Sequence, residues 1–214
     1  MGVSGHWPQA HVRGQFGGQL LPWLRTSIWP AEAAFSSPEV AAERADRFLA
    51  EVGYKLRDGG VNVGGVVQRN TFVRNRAKCD MELEELQSGE VFQISEDRGA
   101  FAKGCRMDRS VLARIASAMA DVVEQCPAIL VVNKFGKVEA EGGGLRDIIA
   151  QAVQRGIPTI VGVPLRNIDQ WRAFAGDFAQ ELRLEAASNA VWRWLRRDAM
   201  QTGSDALHLP ASLC

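Results

Sequence analysis

Apolar residues first organise at Thr26-Ser27-Ile28-Trp29, which reads as a strand broken at Pro30. Ahead of it, residues 1–25 carry Gly, His and Trp without apolar periodicity and read as an irregular arm. Ser37-Pro38 then opens a helix, since Ser satisfies a first-turn N–H and Pro has none to lose there. Val40, Phe48, Val52 and Leu56 follow, and Gly59-Gly60 ends it. Val61 to Val67 is apolar on both faces, the pattern of a central parallel strand. From Thr71 to Asp97 the pattern changes. Met81, Leu83 and Leu86 interleave with Asp80, Glu82, Glu84 and Glu85, Gln87-Ser88-Gly89 makes a turn, and Val91 to Ile94 returns. This predicts an antiparallel hairpin whose charged, solvated face guards a sheet edge.

Beyond the hairpin the helical period is sharper. Asp108 caps a helix on which Val111, Leu112, Ile115, Met119, Val122 and Val123 recur at helical spacing, and Pro127 stops it. Ala128 to Val132 is a short, wholly apolar strand. Gly142-Gly143-Gly144 precedes a second helix bearing Leu145, Ile148, Ile149, Ala152 and Val153 on one face, with Gly156 as its stop. Ile157 to Val163 reads as the next strand. A third helix is predicted over Ile168, Trp171, Phe174, Phe178 and Leu182, and a last one, capped by Ser188, over Val191, Trp192 and Leu195. Strands alternating with helices predict a three-layer α/β domain over 26–200, with a mostly parallel sheet and a β-hairpin insertion at about 71–97. Residues 201–214 read as a loose tail.

Composition changes this picture little. At 214 residues, 46% hydrophobic and 23% charged, the chain is expected to form one packed domain. Lys plus Arg and Asp plus Glu each total 25, so the net charge is zero. That balance excludes a protein that binds nucleic acid or an anionic membrane by bulk charge. No apolar run is long enough to span a bilayer, and the start Met1-Gly2-Val3-Ser4 lacks the basic and apolar regions of a secretory signal. A cytoplasmic location is expected. Cys79, Cys105, Cys126 and Cys214 form no Cys-x-x-Cys pair, and no disulfide framework is expected.

In a parallel sheet, ligands gather beyond the carboxyl ends of the strands. Gln68, Arg69 and Asn70 follow one apolar strand, Asn133, Lys134, Lys137 and Glu139 the next, and Arg166 and Asn167 the third. These side chains suit a small anion, with Gln68, Asn133, Lys134, Lys137, Glu139 and Asn167 as its expected lining. The segment from Asn133 to Gly144 also runs strand, glycine-rich turn, helix start, a layout whose free N–H groups favour an anion. Arg98, near the hairpin, would add a cation. Cys79 and Cys105 flank the same region, where thiols beside cations would hold a soft metal or an oxyanion. Each feature has a structural reading as well, because loops are ordinarily polar and free cysteines are most often small buried residues. Trp192 to Arg197 reads as an amphipathic helix docking on the core or on a partner subunit, and His6, His11 and His208 as surface residues.

Ile129-Leu130-Val131-Val132-Asn133-Lys134-Phe135-Gly136-Lys137-Val138-Glu139 resembles the Walker B region of the thermophile-type nucleoside-triphosphatases, where an apolar strand ends in Asp-Glu. Gly60 to Val67 resembles that family's second strand. The stretch from about 55 to 180 is more closely similar to a bacterial family of unknown function, through Arg76 to Leu86, Gly104 to Asp108 and Val131 to Gly142. Members of that family are sometimes encoded beside molybdate uptake or nitrogenase genes. The resemblance implies a fold of P-loop-nucleoside-triphosphatase-like lineage with its Walker motifs lost. Asn133 and Lys134 stand where two acids would hold Mg²⁺, and G-x-x-x-x-G-K-[ST] is absent throughout.

The leading expectation is therefore a non-catalytic or weakly catalytic small-anion-binding protein, accessory to molybdate or metal-cofactor metabolism. Its ligand would be molybdate or a related oxyanion, with nucleotide as the alternative. A second reading is a nucleoside-triphosphatase with an unconventional phosphate loop and Glu139 or Glu141 as general base. A third is an assembly protein that forms homo-oligomers through its terminal arms.

Overall fold

The computed structural model describes residues 25–29, 38–71, 80–95 and 108–184. Strand β1 (Arg25–Trp29) is followed by helix α1 (Pro38–Asp58), then β2 (Val63–Thr71), β3 (Asp80–Glu85) and β4 (Val91–Gln93). Helix α2 (Arg109–Glu124) leads to β5 (Ile129–Val132), the one-turn α3 (Lys137–Ala140) and α4 (Arg146–Gln154). Strand β6 (Thr159–Gly162), α5 (Ile168–Ala175) and β7 (Gln180–Arg183) complete the described chain. The seven strands form one sheet in the order β4-β3-β2-β5-β6-β1-β7. From β2 to β7 every neighbouring pair is parallel, and β3 and β4 add an antiparallel hairpin at one side.

Alternation along the short strands divides the core in two. Val66, Leu130, Val132 and Val161 face α2, α4 and α5. Val67, Ile129, Val131 and Ile160 face α1, whose buried stripe is Ala45, Leu49, Val52 and Leu56. The expected three-layer α/β domain with a mostly parallel sheet is thus the fold that forms. Asp108 caps α2 as expected, accepting from the N–H groups of Ser110 at 2.8 Å and Val111 at 3.4 Å. Gly65, at φ +122°, lets β2 lie against β5: a Cβ there would come within 1.9 Å of the Val131 carbonyl oxygen.

Four expectations need correction. The predicted third helix ends at Ala175, where Gly176 takes φ +53°, so Leu182 lies on β7 beside β1 and not on a helix. Apolar spacing continued past a backbone that had already turned. The hairpin acids do not form a solvated face on an edge. Strand β3 is interior, flanked by β2 and β4, and Glu84 and Glu85 are both buried. Gln68, Arg69 and Asn70 do not follow the second strand but lie on it, in register with Leu83, Glu82 and Met81 of β3. Finally, Cys126 forms a disulfide with a cysteine outside the described residues; spacing along the chain does not register such a neighbour. The last predicted helix from Ser188 and both terminal arms also lie outside the described residues.

Each buried acid of β3 has a cause. Glu85 closes the hairpin turn, accepting from the N–H groups of Gln87 at 2.9 Å and Ser88 at 2.6 Å and from the Ser88 hydroxyl at 2.7 Å. Glu84 faces α1. It accepts from the Tyr54 hydroxyl at 2.8 Å and from the guanidinium groups of Arg69 at 2.9 Å and Arg57 at 3.3 Å. The Arg57 guanidinium also lies over the Tyr54 ring, 5.0 Å from its centre. This clamp fixes the hairpin to the last turns of α1.

Two outcomes follow. Burial first, and the bond to Glu84 second, push the Tyr54 hydroxyl from 10.0 up to about 12. Tyr54 is the single tyrosine, so the near-ultraviolet absorbance of tyrosinate titrates it alone. The midpoint should fall near 12, and Glu84→Gln should bring it back toward 10. Because the folded value is the raised one, this contribution to stability is complete below pH 10 and is lost as pH climbs through about 12. In urea denaturation, Gly65→Ala should cost about 3 kcal/mol or more, combining strain and overpacking. A cost below about 1 kcal/mol would mean that β2 and β5 can separate cheaply.

Candidate functional site

The carboxyl ends of β5 and β6 open on one side of the sheet, where β2 runs on past them to Thr71, and the first half of α1 crosses there. A cavity of about 220 Å³ lies between them. Ala41, Ala42, Ala45 and Asp46 of α1 form one wall, Asn133 and Lys134 after β5 another, and Gly162 to Arg166 after β6 the third. The alanines keep the helix side of the cavity small. Gly162 keeps it open: a Cβ there would come within 2.6 Å of Leu49 Cδ1 and 3.7 Å of Asn133 Oδ1.

Charge in this cavity is paired across the layers. Lys134 Nζ lies 2.9 Å and 3.2 Å from the two carboxylate oxygens of Asp46, a residue only 5% exposed. Sequence reasoning missed Asp46, although a signal for it exists. It sits three residues before Leu49 and seven before Gly53, on the stripe of α1 that turns to the sheet. A carboxylate on an apolar stripe needs a buried partner, and Lys134 is that partner. Arg166 is exposed beside this pair and lines the same cavity.

Asn133 is 2% exposed, and neither Nδ2 nor Oδ1 has a partner among the described residues. Buried amides are almost always paired, so two orphaned atoms on a cavity wall are an exception. The peptide linking Asn133 to Lys134 is cis.

The other expected lining residues have different surroundings. The glycine-rich turn does bind an anion, but an internal one. Glu139 Oε2 accepts from the Gly136 N–H at 2.9 Å, and Oε1 accepts from the Leu145 N–H at 3.1 Å. Burial pushes the Glu139 carboxyl above its ordinary value, against the opposite pull of those N–H groups. Glu139 therefore fills the cradle and is not among the residues facing the cavity. Asn167 is also spent, its Nδ2 donating to the Phe135 carbonyl at 3.2 Å. Lys137 is exposed, 3.7 Å from Glu141. Gln68 lines a separate, more open groove of about 750 Å³ between α1 and the hairpin, which meets the smaller cavity at Asp46. Arg98, Cys79 and Cys105 lie outside the described residues, and among those described no group of three His, Cys, Asp or Glu could hold a metal ion. Of the expected set, the structure brings Asn133 and Lys134 together.

Comparison with known proteins adds two findings. A family model described as "Protein of unknown function (DUF2478)" matches residues 38–194. The molybdenum import ATP-binding protein ModC 2 of Bradyrhizobium diazoefficiens is 33% identical over 147 residues, covering 69% of this chain and 16% of that protein. The chain thus spans about a sixth of the length of the curated relative it matches. An ATP-binding relative accords with the P-loop-like lineage of the fold. No solved structure matches. No helix among the described residues is long and apolar enough to cross a membrane.

If Asn133 is kept for a ligand, removing its polarity should help folding. Asn133→Leu is expected to raise stability in urea denaturation by about 1–3 kcal/mol, the usual cost of a buried unpaired polar group. A loss of stability of that size would show that the amide has a structural partner after all.

Proposed function

This chain belongs to the DUF2478 family, and on that footing we propose that it is a non-catalytic or weakly catalytic protein that binds a small oxyanion. The observation that carries this reading is the buried, unpartnered Asn133 amide on a cavity whose remaining polar groups are Lys134, Asp46 and Arg166. Lys134 and Asp46 cancel, and Arg166 supplies the positive charge. Size supports an ion over a nucleotide. The cavity, about 220 Å³, falls below the range of about 300–1,000 Å³ that houses larger organic ligands.

The nucleoside-triphosphatase alternative has less support. Glu139, the candidate general base, is held by two backbone N–H groups. The end of β5 offers an amide and a cation where metal chemistry would want carboxylates. The curated relative is named for ATP binding and molybdenum import, and the matched segment is 16% of it.

The test is thermal unfolding of the full chain with molybdate, tungstate, sulfate and phosphate. An ion present at a hundred times its dissociation constant stabilises by about 2.7 kcal/mol, a rise of roughly 5–10 °C in a chain of this size. Arg166→Ala should weaken that response at least tenfold in ligand concentration and leave the unliganded melting temperature unchanged. The absence of any shift at millimolar concentration of all four ions would sink the reading.

A further inference from the structure

Resting on that small-anion reading, we infer that the ion this cavity takes carries a hydrogen of its own. It is a protonated oxyanion of the phosphate or arsenate class, held in preference to fully deprotonated dianions such as sulfate and molybdate.

The argument starts from the hydrogen-bonding sign of each group on the cavity wall. An Asn side chain presents one donor and one acceptor whichever way its amide is turned. Both atoms of Asn133 are buried and without partners among the described residues. A ligand atom that meets Nδ2 must accept, and one that meets Oδ1 must donate. Asp46 adds a second acceptor. Its carboxylate, 5% exposed, receives the Lys134 ammonium on both oxygens and still has acceptor capacity toward the cavity it lines. The wall is therefore not the all-donor surface that a bare dianion requires.

Sulfate or molybdate near neutral pH offers acceptors in every direction. Seating either one leaves Asn133 Oδ1 unpaired in a buried place and sets negative charge against Asp46. A hydrogen-bearing oxyanion avoids the first penalty and, carrying less charge when singly ionised, lessens the second. Its O–H donates to Oδ1 while a neighbouring O⁻ accepts from Nδ2, so the two orphaned atoms of Asn133 are satisfied together.

Charge points the same way. Lys134 is balanced by Asp46, and Arg166 is the lining cation without an opposing carboxylate among the described residues. One uncompensated positive charge fits an ion whose own charge is reduced by a bound proton.

Calorimetric titration of the full chain at neutral pH, with inorganic phosphate, arsenate, sulfate and molybdate in turn, tests the inference. Phosphate and arsenate should bind about 10- to 100-fold more tightly than sulfate and molybdate, the range set by leaving one buried acceptor unpaired. Asp46→Asn exchanges an acceptor-only group for one that can donate. It should shrink the phosphate-to-sulfate ratio about tenfold, chiefly through a gain for sulfate. Asn133→Asp leaves no neutral donor and should cost phosphate at least tenfold. The wild-type series needs no variant to fold. Sulfate or molybdate binding as tightly as phosphate overturns this inference and leaves the small-anion reading standing. If none of the four ions binds, both fall.

Discussion

The ion pair between Lys134 and Asp46 joins the two parts of the molecule that make the site. Strand β5 is buried on both faces and ends in polar residues, while α1 lies across that end as a separate layer. Without a tie between them, the helix and the strand end would share only apolar contacts, which set area but not register. A buried pair of this kind adds little net stability, yet removing one partner costs about 3–5 kcal/mol by stranding the other. Its effect is positional. It fixes which turn of α1 faces the end of β5, and it cancels the strand-end cation that would otherwise dominate the cavity. What is left on the cavity wall is an amide of mixed polarity and one exposed guanidinium.

The turn after β5 obeys the same economy of charge. A glycine-rich segment leading to a helix start presents free N–H groups that attract an anion, and here the chain supplies its own in Glu139. The turn thus has the layout of an anion cradle with an internal occupant. The cavity begins at the same strand end, at Asn133 and Lys134, on the α1 face.

Local pattern made much of this legible. The stripes of α1, α2 and α4 and the continuous apolar runs of β5 and β6 each follow from burial on one face or two, and burial leaves a period in the sequence. Positions that depend on distant partners were not legible. Leu182 continues the helical spacing of Trp171, Phe174 and Phe178, but its strand forms by pairing with β1, far away in sequence. Glu84 alternates with apolar neighbours as a solvated residue does, yet Tyr54, Arg57 and Arg69 surround it. At the site, the strand-end rule located Asn133 and Lys134. Asp46 escaped because one acid on an otherwise apolar helix face acquires meaning only when its partner is known.

The strand order also governs how the chain can assemble. Strand β1 begins the described sequence, but its neighbours are β6 and β7, which span Thr159–Gly162 and Gln180–Arg183. During synthesis from the N-terminus, β1 emerges first and finds neither partner until most of the chain has followed. The hairpin, by contrast, closes from neighbouring residues. Of the described strands, β1 therefore makes the pairings of greatest sequence separation, with two strands made long after it. Such long-range closure is slow, and the first of the described strands to be made is the one that waits longest for a place.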